Sequence, residues 1–199
     1  LPPRRDLASL REASRTCEGC TLWTHATQTV FGEGNPRARL VLVGEQPGDQ
    51  EDLQGRPFVG PAGQLFDRAL EEAGIDRQKA YITNAVKHFK FVQRGKRRIH
   101  QSPTAGEIKH YRWWLQKELD FVQPKLVVAL GASAAHALEG RVITISRNRG
   151  PHKFDSFNQR PGYITVHPSY LLRLPSEADR DREYRAFVQD LKRVRALIQ

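Results

Sequence analysis

The chain has 199 residues, of which 39% are hydrophobic and 27% are charged. This length and composition predict one globular domain over residues 1–199 and exclude a disordered chain. No apolar run approaches the roughly 20 residues of a membrane-spanning helix, and the first residues do not resemble a secretion signal. Because the chain contains no methionine, we expect a trimmed chain or a domain of a longer protein.

The charge balance is strongly basic. Lysine and arginine number 32 against 22 acidic residues, which gives a net charge of +10. A soluble domain with this excess most often binds a polyanion, and nucleic acid is the first candidate. The alternative is a lineage that simply favours arginine.

Four short apolar runs alternate with amphipathic helical segments along the chain. The runs, which are typical of strands buried on both faces, are Leu40–Val43, Tyr81–Thr83, Leu126–Leu130 and Tyr163–Val166. The helical segments are Ala62–Ala73, Glu107–Leu119, Ser133–Leu138 and Glu177–Ile198. This alternation predicts an α/β fold with a doubly wound, mainly parallel sheet.

Polar residues follow three of these predicted strands. Parallel strands end at one edge of a sheet, which is where such folds bind ligands. That edge would collect Glu45, Gln46, Asp49, Asn84 and His167. Five polar residues at one rim indicate a ligand site.

The segment from Gly44 to Gly63 has five glycines and three prolines in 20 residues. It is predicted to be a shaped loop with backbone amides that face a ligand, and the alternative is a plain surface loop. It has neither the P-loop nor the dinucleotide-binding spacing. Phe58 in this polar loop either stacks on a flat ligand such as a base or pins the loop to the core. Further along, Ser133 is interpreted as part of a tight strand-to-helix packing turn.

Two other segments could carry chemistry. Lys87–His100 holds six basic residues interleaved with two phenylalanines, which suits a nucleic-acid strand, although a solvated loop is the alternative. Cys17 and Cys20 can hold an edge of a metal or iron–sulfur cluster, form a disulfide or stay unused. Since two cysteines cannot build a disulfide framework, we expect a reducing compartment, the cytoplasm.

Taken together in chain order, these motifs resemble the uracil-DNA glycosylase superfamily over nearly the whole chain. The resemblance rests on Cys17-x-x-Cys20, the Gly44–Gly63 loop, Ile82-Thr83-Asn84 and His167-Pro168-Ser169-Tyr170. The cysteine pair resembles family 4, the iron–sulfur branch. Gln46 and the insertion that ends at His100 resemble its UdgX subgroup. The resemblance implies a three-layer α/β/α sandwich, with a central, mainly parallel four-stranded sheet and a uracil pocket at the carboxyl ends of the strands.

The resemblance also implies roles for individual residues. UdgX-type proteins remove uracil and stay covalently attached to the abasic sugar through the histidine of the insertion, here His100. Glu45 or Asp49 would orient that histidine, and His167 would stabilise the departing uracil anion. The implied uracil-binding residues are Gln46, Gly48, Phe58, Asn84 and Ser169. The implied DNA-binding residues are Lys90, Lys96, Arg97, Arg98 and Arg173.

One departure from the family pattern concerns its 4Fe–4S cluster, which four cysteines normally hold. Cys17 and Cys20 match the first two positions, and His88 falls at the third. The fourth position falls near His110 and Tyr111, with Tyr111 the aligned residue. We expect a cluster held by Cys17, Cys20, His88 and His110, with the fourth ligand open.

Several functions remain open on the sequence alone. The first is a DNA-repair enzyme that excises uracil from DNA and traps itself on the product. The second is a conventional family 4 glycosylase that turns over. A non-catalytic single-stranded DNA-binding module is disfavoured by the long motif matches, and a zinc hydrolase by the absence of a suitable histidine motif. The expected partner is uracil-containing DNA, preferably single-stranded, bound by a monomer.

Overall fold

A computed structural model describes residues 6–199 of the protein. Residues 1–5, on which the prediction about a secretion signal partly depends, lie outside this range. The strands are β1 (Glu33–Gly34), β2 (Leu40–Gly44), β3 (Tyr81–Asn84), β4 (Phe91–Arg94), β5 (Arg97–His100), β6 (Leu126–Leu130), β7 (Gly150–Phe154) and β8 (Arg160–Thr165). The helices are α1 (Leu7–Ser14), α2 (Asp49–Gln54), α3 (Pro61–Ala73), α4 (Ala105–Val122), α5 (Ala132–Glu139), α6 (Ile145–Asn148), α7 (Pro168–Arg173) and α8 (Glu177–Ile198). Within the described range, no helix is both long and apolar enough to cross a membrane.

Six strands form the central sheet in the order β1-β3-β2-β6-β8-β7. The inner four strands pair in parallel. They are the four strands predicted from the sequence, so the predicted α/β fold is confirmed. The two edge strands, β1 and β7, pair antiparallel and extend the predicted four-stranded sheet.

Helices cover both faces of the sheet and bury its alternating side chains. Leu40 and Leu42 of β2 pack on one face with α3 and α8, where Phe66 and Phe187 are fully buried. Val41 and Val43 point to the other face, into a second core formed with α4 and α5. A strand with apolar side chains on both faces needs such cover on both sides. The result is the expected three-layer sandwich.

The basic insertion is not a loop. Residues 91–100 form a two-stranded hairpin outside the central sheet, here called the basic hairpin, in which Phe91 pairs with His100 and Arg94 with Arg97. Gly95 makes the turn with a φ of +58°, a conformation that L side chains rarely adopt. The pairing therefore puts His100 at the base of the hairpin and the basic turn at its tip.

Candidate active site

A cavity of about 1010 Å³ opens at the carboxyl ends of the parallel strands. Its lining includes polar residues at or just after the ends of β2, β3, β6 and β8, and the last residue of the basic hairpin. These residues are Glu45, Gln46, Asn84, His100, Ser133, His167, Ser169 and Arg173. The polar rim expected from the sequence therefore lines a single pocket, except that Asp49 is not among its lining residues.

His100 and Glu45 form the central polar contact of this pocket. His100 Nε2 lies 3.1 Å from Glu45 Oε1, and the His100 side chain is 47% exposed. The Ser133 hydroxyl donates to the other carboxylate oxygen of Glu45. Burial would raise the pKa of Glu45, but the hydrogen bonds that Glu45 accepts from His100 and Ser133 bring this pKa below its ordinary value. Glu45 is therefore an anion that accepts from His100, and Ser133 is more than a packing residue.

Asp49 contacts Arg98, whereas the carboxylate that contacts His100 is Glu45. Arg98 Nε donates to Asp49 at 2.6 Å, and its Nη1 donates to the fully buried Asp52 at 2.5 Å. The guanidinium also lies over Phe89 and Phe91, at 5.3 and 5.1 Å from the ring centroids. Arg98 therefore fastens the basic hairpin to α2, and its contact with DNA phosphates stays a prediction.

Gln46 holds the base of the basic hairpin. Its Nε2 donates to the carbonyl oxygens of Lys90 and Gln101 at 3.2 and 3.0 Å, and its Oε1 accepts from the Lys90 N–H at 3.3 Å. These two residues flank the hairpin. The Gln46 side chain is therefore occupied with positioning the hairpin, although the residue was predicted to contact uracil.

His167 is a neutral imidazole whose proton can be assigned from its contacts. Its Nδ1 accepts from the Ser169 N–H at 3.1 Å and lies 2.8 Å from the Ser169 hydroxyl. The ring proton is therefore assigned to Nε2. Burial lowers the pKa of His167 to about 4, against the opposing charge of Glu45. His167 thus offers one N–H donor at neutral pH, and Ser169 orients it.

Phe58 and Asn84 meet at the end of β2. Phe58 is buried with a φ of +55°, and its ring centroid lies 5.7 Å from that of His167. Among residues 6–199, the Asn84 side-chain amide has no hydrogen-bond partner. A Cβ at Gly44 would lie 2.4 Å from Asn84 Oδ1 and 2.6 Å from Phe58 Cζ. Glycine at position 44 therefore allows an aromatic face and a free amide to approach the same space.

The Gly44–Gly63 loop is held from within by a buried carboxylate. Glu51 accepts from the backbone N–H groups of Gly48, Val59 and Gly60, at 3.1, 2.9 and 2.7 Å. These three amides donate to Glu51, and the predicted contact of Gly48 with uracil stays a prediction. Gly48 nevertheless lines the pocket.

The predicted DNA-binding cations divide into bound and free groups. Lys90 forms an ion pair with Glu107 at 2.9 Å. Lys96 and Arg97 lie exposed at the tip of the basic hairpin, without an ion-pair partner in the described part of the chain. Arg173 is exposed beside the pocket and donates to Ser169 Oγ at 2.9 Å. Lys96, Arg97 and Arg173 are thus available to an external anion.

The four predicted cluster ligands do not converge on one point. Cys17 Sγ lies 4.0 Å from His110 Nε2, whereas Cys20 Sγ lies 3.0 Å from the Tyr111 hydroxyl. The same hydroxyl lies 2.5 Å from His88 Nδ1. Within residues 6–199, no group of three or more His, Cys, Asp or Glu residues is arranged to hold a metal ion. The residues present therefore do not fit the family's cluster.

Comparisons with known proteins show the family to which the chain is related. The sequence profile of the uracil DNA glycosylase superfamily matches residues 31–192. A type-4 uracil-DNA glycosylase of Thermotoga maritima is 36% identical over 189 residues, covering 94% of this chain and 92% of the relative. A type-4 enzyme of Sulfurisphaera tokodaii is 31% identical, covering 96% and 84%, and a type-5 enzyme of Pyrobaculum aerophilum is 31% identical, covering 66% and 62%. The chain belongs to the uracil DNA glycosylase superfamily.

Proposed function

We propose that this protein excises uracil from DNA and is then trapped covalently on the abasic sugar through His100, as in the UdgX subgroup. The observation that carries the proposal is the contact between His100 and the Glu45 carboxylate at the rim of the pocket. A histidine that only bound phosphate would need neither a half-buried carboxylate partner nor a hairpin fastened at its base. No step of the proposal passes through a metal cluster.

Recognition of the base uses Phe58 and Asn84. A flipped or single-stranded uracil would enter the pocket with its ring against the Phe58 face. The Asn84 amide would donate to O4 and accept from N3–H, a pattern that cytosine cannot match. Single-stranded DNA is the preferred substrate in this proposal because no base pair has to be broken first.

Cleavage of the glycosidic bond uses His167. When the bond between C1′ and N1 breaks, its electron pair leaves with uracil and the sugar becomes cationic. The Nε2–H of His167 would donate to uracil O2 and stabilise this developing anion. A neutral donor suits the step, since burial already holds the pKa of His167 at about 4.

Capture of the sugar uses His100 and Glu45. The imidazole nitrogen that Glu45 does not hold attacks C1′, so its lone pair forms the new C–N bond. The imidazolium formed then releases its N–H proton to the Glu45 carboxylate, and the product is a neutral alkylated imidazole. Such an imidazole is a poor leaving group, so each protein molecule would act once. Lys96, Arg97 and Arg173 would bind the flanking phosphates of the strand.

The second candidate is a conventional glycosylase that releases an abasic product and turns over. It is favoured by the name of the Thermotoga maritima relative, a type-4 uracil-DNA glycosylase. In that case water would capture the sugar, and His100 would serve binding only.

The test incubates the protein with a labelled single-stranded oligonucleotide that carries one uracil, followed by boiling in detergent and a denaturing gel. A thymine oligonucleotide controls for specificity, and His25→Ala, which removes an exposed histidine far along the chain from the hairpin, is the matched control for His100→Ala. We expect a shifted band that depends on uracil, is kept by His25→Ala and is lost in His100→Ala. A strand that becomes alkali-labile without a shifted band would establish the second candidate. No change to either strand would refute glycosylase activity.

A further inference from the structure

The place where the superfamily resemblance implies a 4Fe–4S cluster is filled by protein. Such a cluster is held by four protein ligands, most often thiolates, and this chain has two cysteines in total. His88 and His110 would have to supply the other two ligands. The contacts of the surrounding side chains show what these groups do instead.

Tyr111 stands between two of the expected ligands. Its side chain is fully buried in the core beneath α4. The hydroxyl lies 3.0 Å from Cys20 Sγ and 2.5 Å from His88 Nδ1. Cys20 and His88 could share a metal only if this buried ring left its place in the core.

The hydrogen bonds around His88 form one chain in which every donor has an acceptor. Thr29 Oγ1 donates to the Ser14 carbonyl oxygen at 2.9 Å, so at its 3.0 Å contact with His88 it accepts from the Nε2–H. His88 Nδ1 then carries the lone pair and accepts from the Tyr111 hydroxyl. The Tyr111 oxygen accepts in turn from the Cys20 thiol. This hydrogen-bonded chain joins α4 to the last residue of α1 without a metal.

His110 fills the space inside the cysteine turn. A Cβ at Gly19 would lie 2.3 Å from His110 Cε1, so the ring packs directly against the backbone between the two cysteines. The His110 ring also meets the Tyr111 ring edge-on, with 5.2 Å between centroids. Two aromatic side chains thus occupy the volume next to both thiols.

We infer that this protein contains no iron–sulfur cluster, and that the hydrogen-bonded chain through Tyr111 fastens the Cys17–Cys20 turn and α1 to the core in its place. The two cysteines are thiols, one of which is a hydrogen-bond donor to Tyr111. This inference is independent of the proposed capture by His100, because its readouts are metal content and thermal stability.

The first test measures iron, sulfide and zinc in the full chain, purified without oxygen after expression with added iron and cysteine. We expect far less than one metal ion per chain and no visible absorbance from a cluster. Stoichiometric iron and sulfide that are lost in Cys17→Ser would overturn the inference, and so would one tightly bound zinc per chain.

The second test changes the side chain of Tyr111. Tyr111→Phe deletes the hydroxyl that joins Cys20 to His88, and we expect Tm to fall by about 3 to 8 °C. The matched control is Tyr184→Phe, whose hydroxyl bonds Glu72 at the surface and whose loss should shift Tm by less than about 2 °C. An unchanged Tm in Tyr111→Phe would overturn the stabilising role of the hydrogen-bonded chain through Tyr111. Tyr111→Cys restores a third thiolate and should take up iron during reconstitution. Failure to do so would show that Tyr111 is not what excludes the cluster.

Discussion

Replacing Gln46 with alanine separates capture of the sugar from release of the base. The Gln46 side chain makes three hydrogen bonds to the two residues that flank the basic hairpin. Each is worth about 0.5 to 1.5 kcal/mol, and the Lys90 carbonyl keeps a second donor, the Gln101 N–H at 2.9 Å. We therefore expect the free energy that holds the basic hairpin against Gln46 to fall by about 1 to 3 kcal/mol. The rate of covalent capture would then fall by about 5- to 150-fold.

The assay follows two time courses under single-turnover conditions. Covalent capture is read from the shifted band on a denaturing gel, and uracil release is read separately in a His100→Ala background. We expect Gln46→Ala to slow capture while release changes by less than about threefold, because Asn84 and His167 are untouched. Gln64→Ala removes an exposed glutamine of α3 and is the matched control. Capture at the unaltered rate, or an equal fall in capture and release, would refute the positioning role of Gln46.

The pocket supports two further predictions, and the basic hairpin supports a third. Uracil release by His100→Ala should stay level from about pH 8 to pH 5, because the pKa of His167 is about 4 and the ring is neutral throughout; a rate that rises as pH falls through about 6.5 would instead indicate a cationic His167. Gly44→Ala should lower the rate of uracil release by about 100-fold, since its Cβ would displace Asn84 by about 1 Å and press on the Phe58 ring; near-normal release would contradict this reading of the pocket. Arg97→Gln should reduce the slope of log binding constant against log salt concentration by about 1, measured by fluorescence anisotropy, and an unchanged slope would remove Arg97 from the DNA interface.

The sheet and most of the rim could be predicted from the sequence because their signals are local. Strands buried on both faces read as continuous apolar runs, as in Leu126–Leu130. The residues that follow parallel strands must meet at one edge, which predicts that Glu45, Asn84 and His167 lie close together.

The edge strands β1 and β7 could not be predicted from the sequence, because few of their residues are apolar. β1 has two residues, and β7 has a buried residue only at each end. Such strands depend on the neighbour with which they pair, and the sequence window around them carries no periodicity.

The partners of charged side chains could not be predicted because they depend on residues distant in the chain. The sequence predicts that Arg98 binds phosphate. It does not reveal the contacts of Arg98 with Asp49 and Asp52, which lie some 46 to 49 residues away in the chain. Ser133 contacts Glu45 across 88 residues. Residue type indicated that these groups carry charge or hydrogen bonds, but only the fold determines which of them remain free to meet DNA.

The two edge strands also bear on how copies of this protein meet one another. An exposed sheet edge can pair with the edge of a second molecule and seed aggregation. Here one edge is the two-residue β1, too short for a stable ladder. The other edge, β7, includes Pro151, which has no N–H to donate to an added strand, and Lys153, whose charge repels a like edge. A sheet that is parallel at its centre thus ends on both sides in strands that discourage further growth.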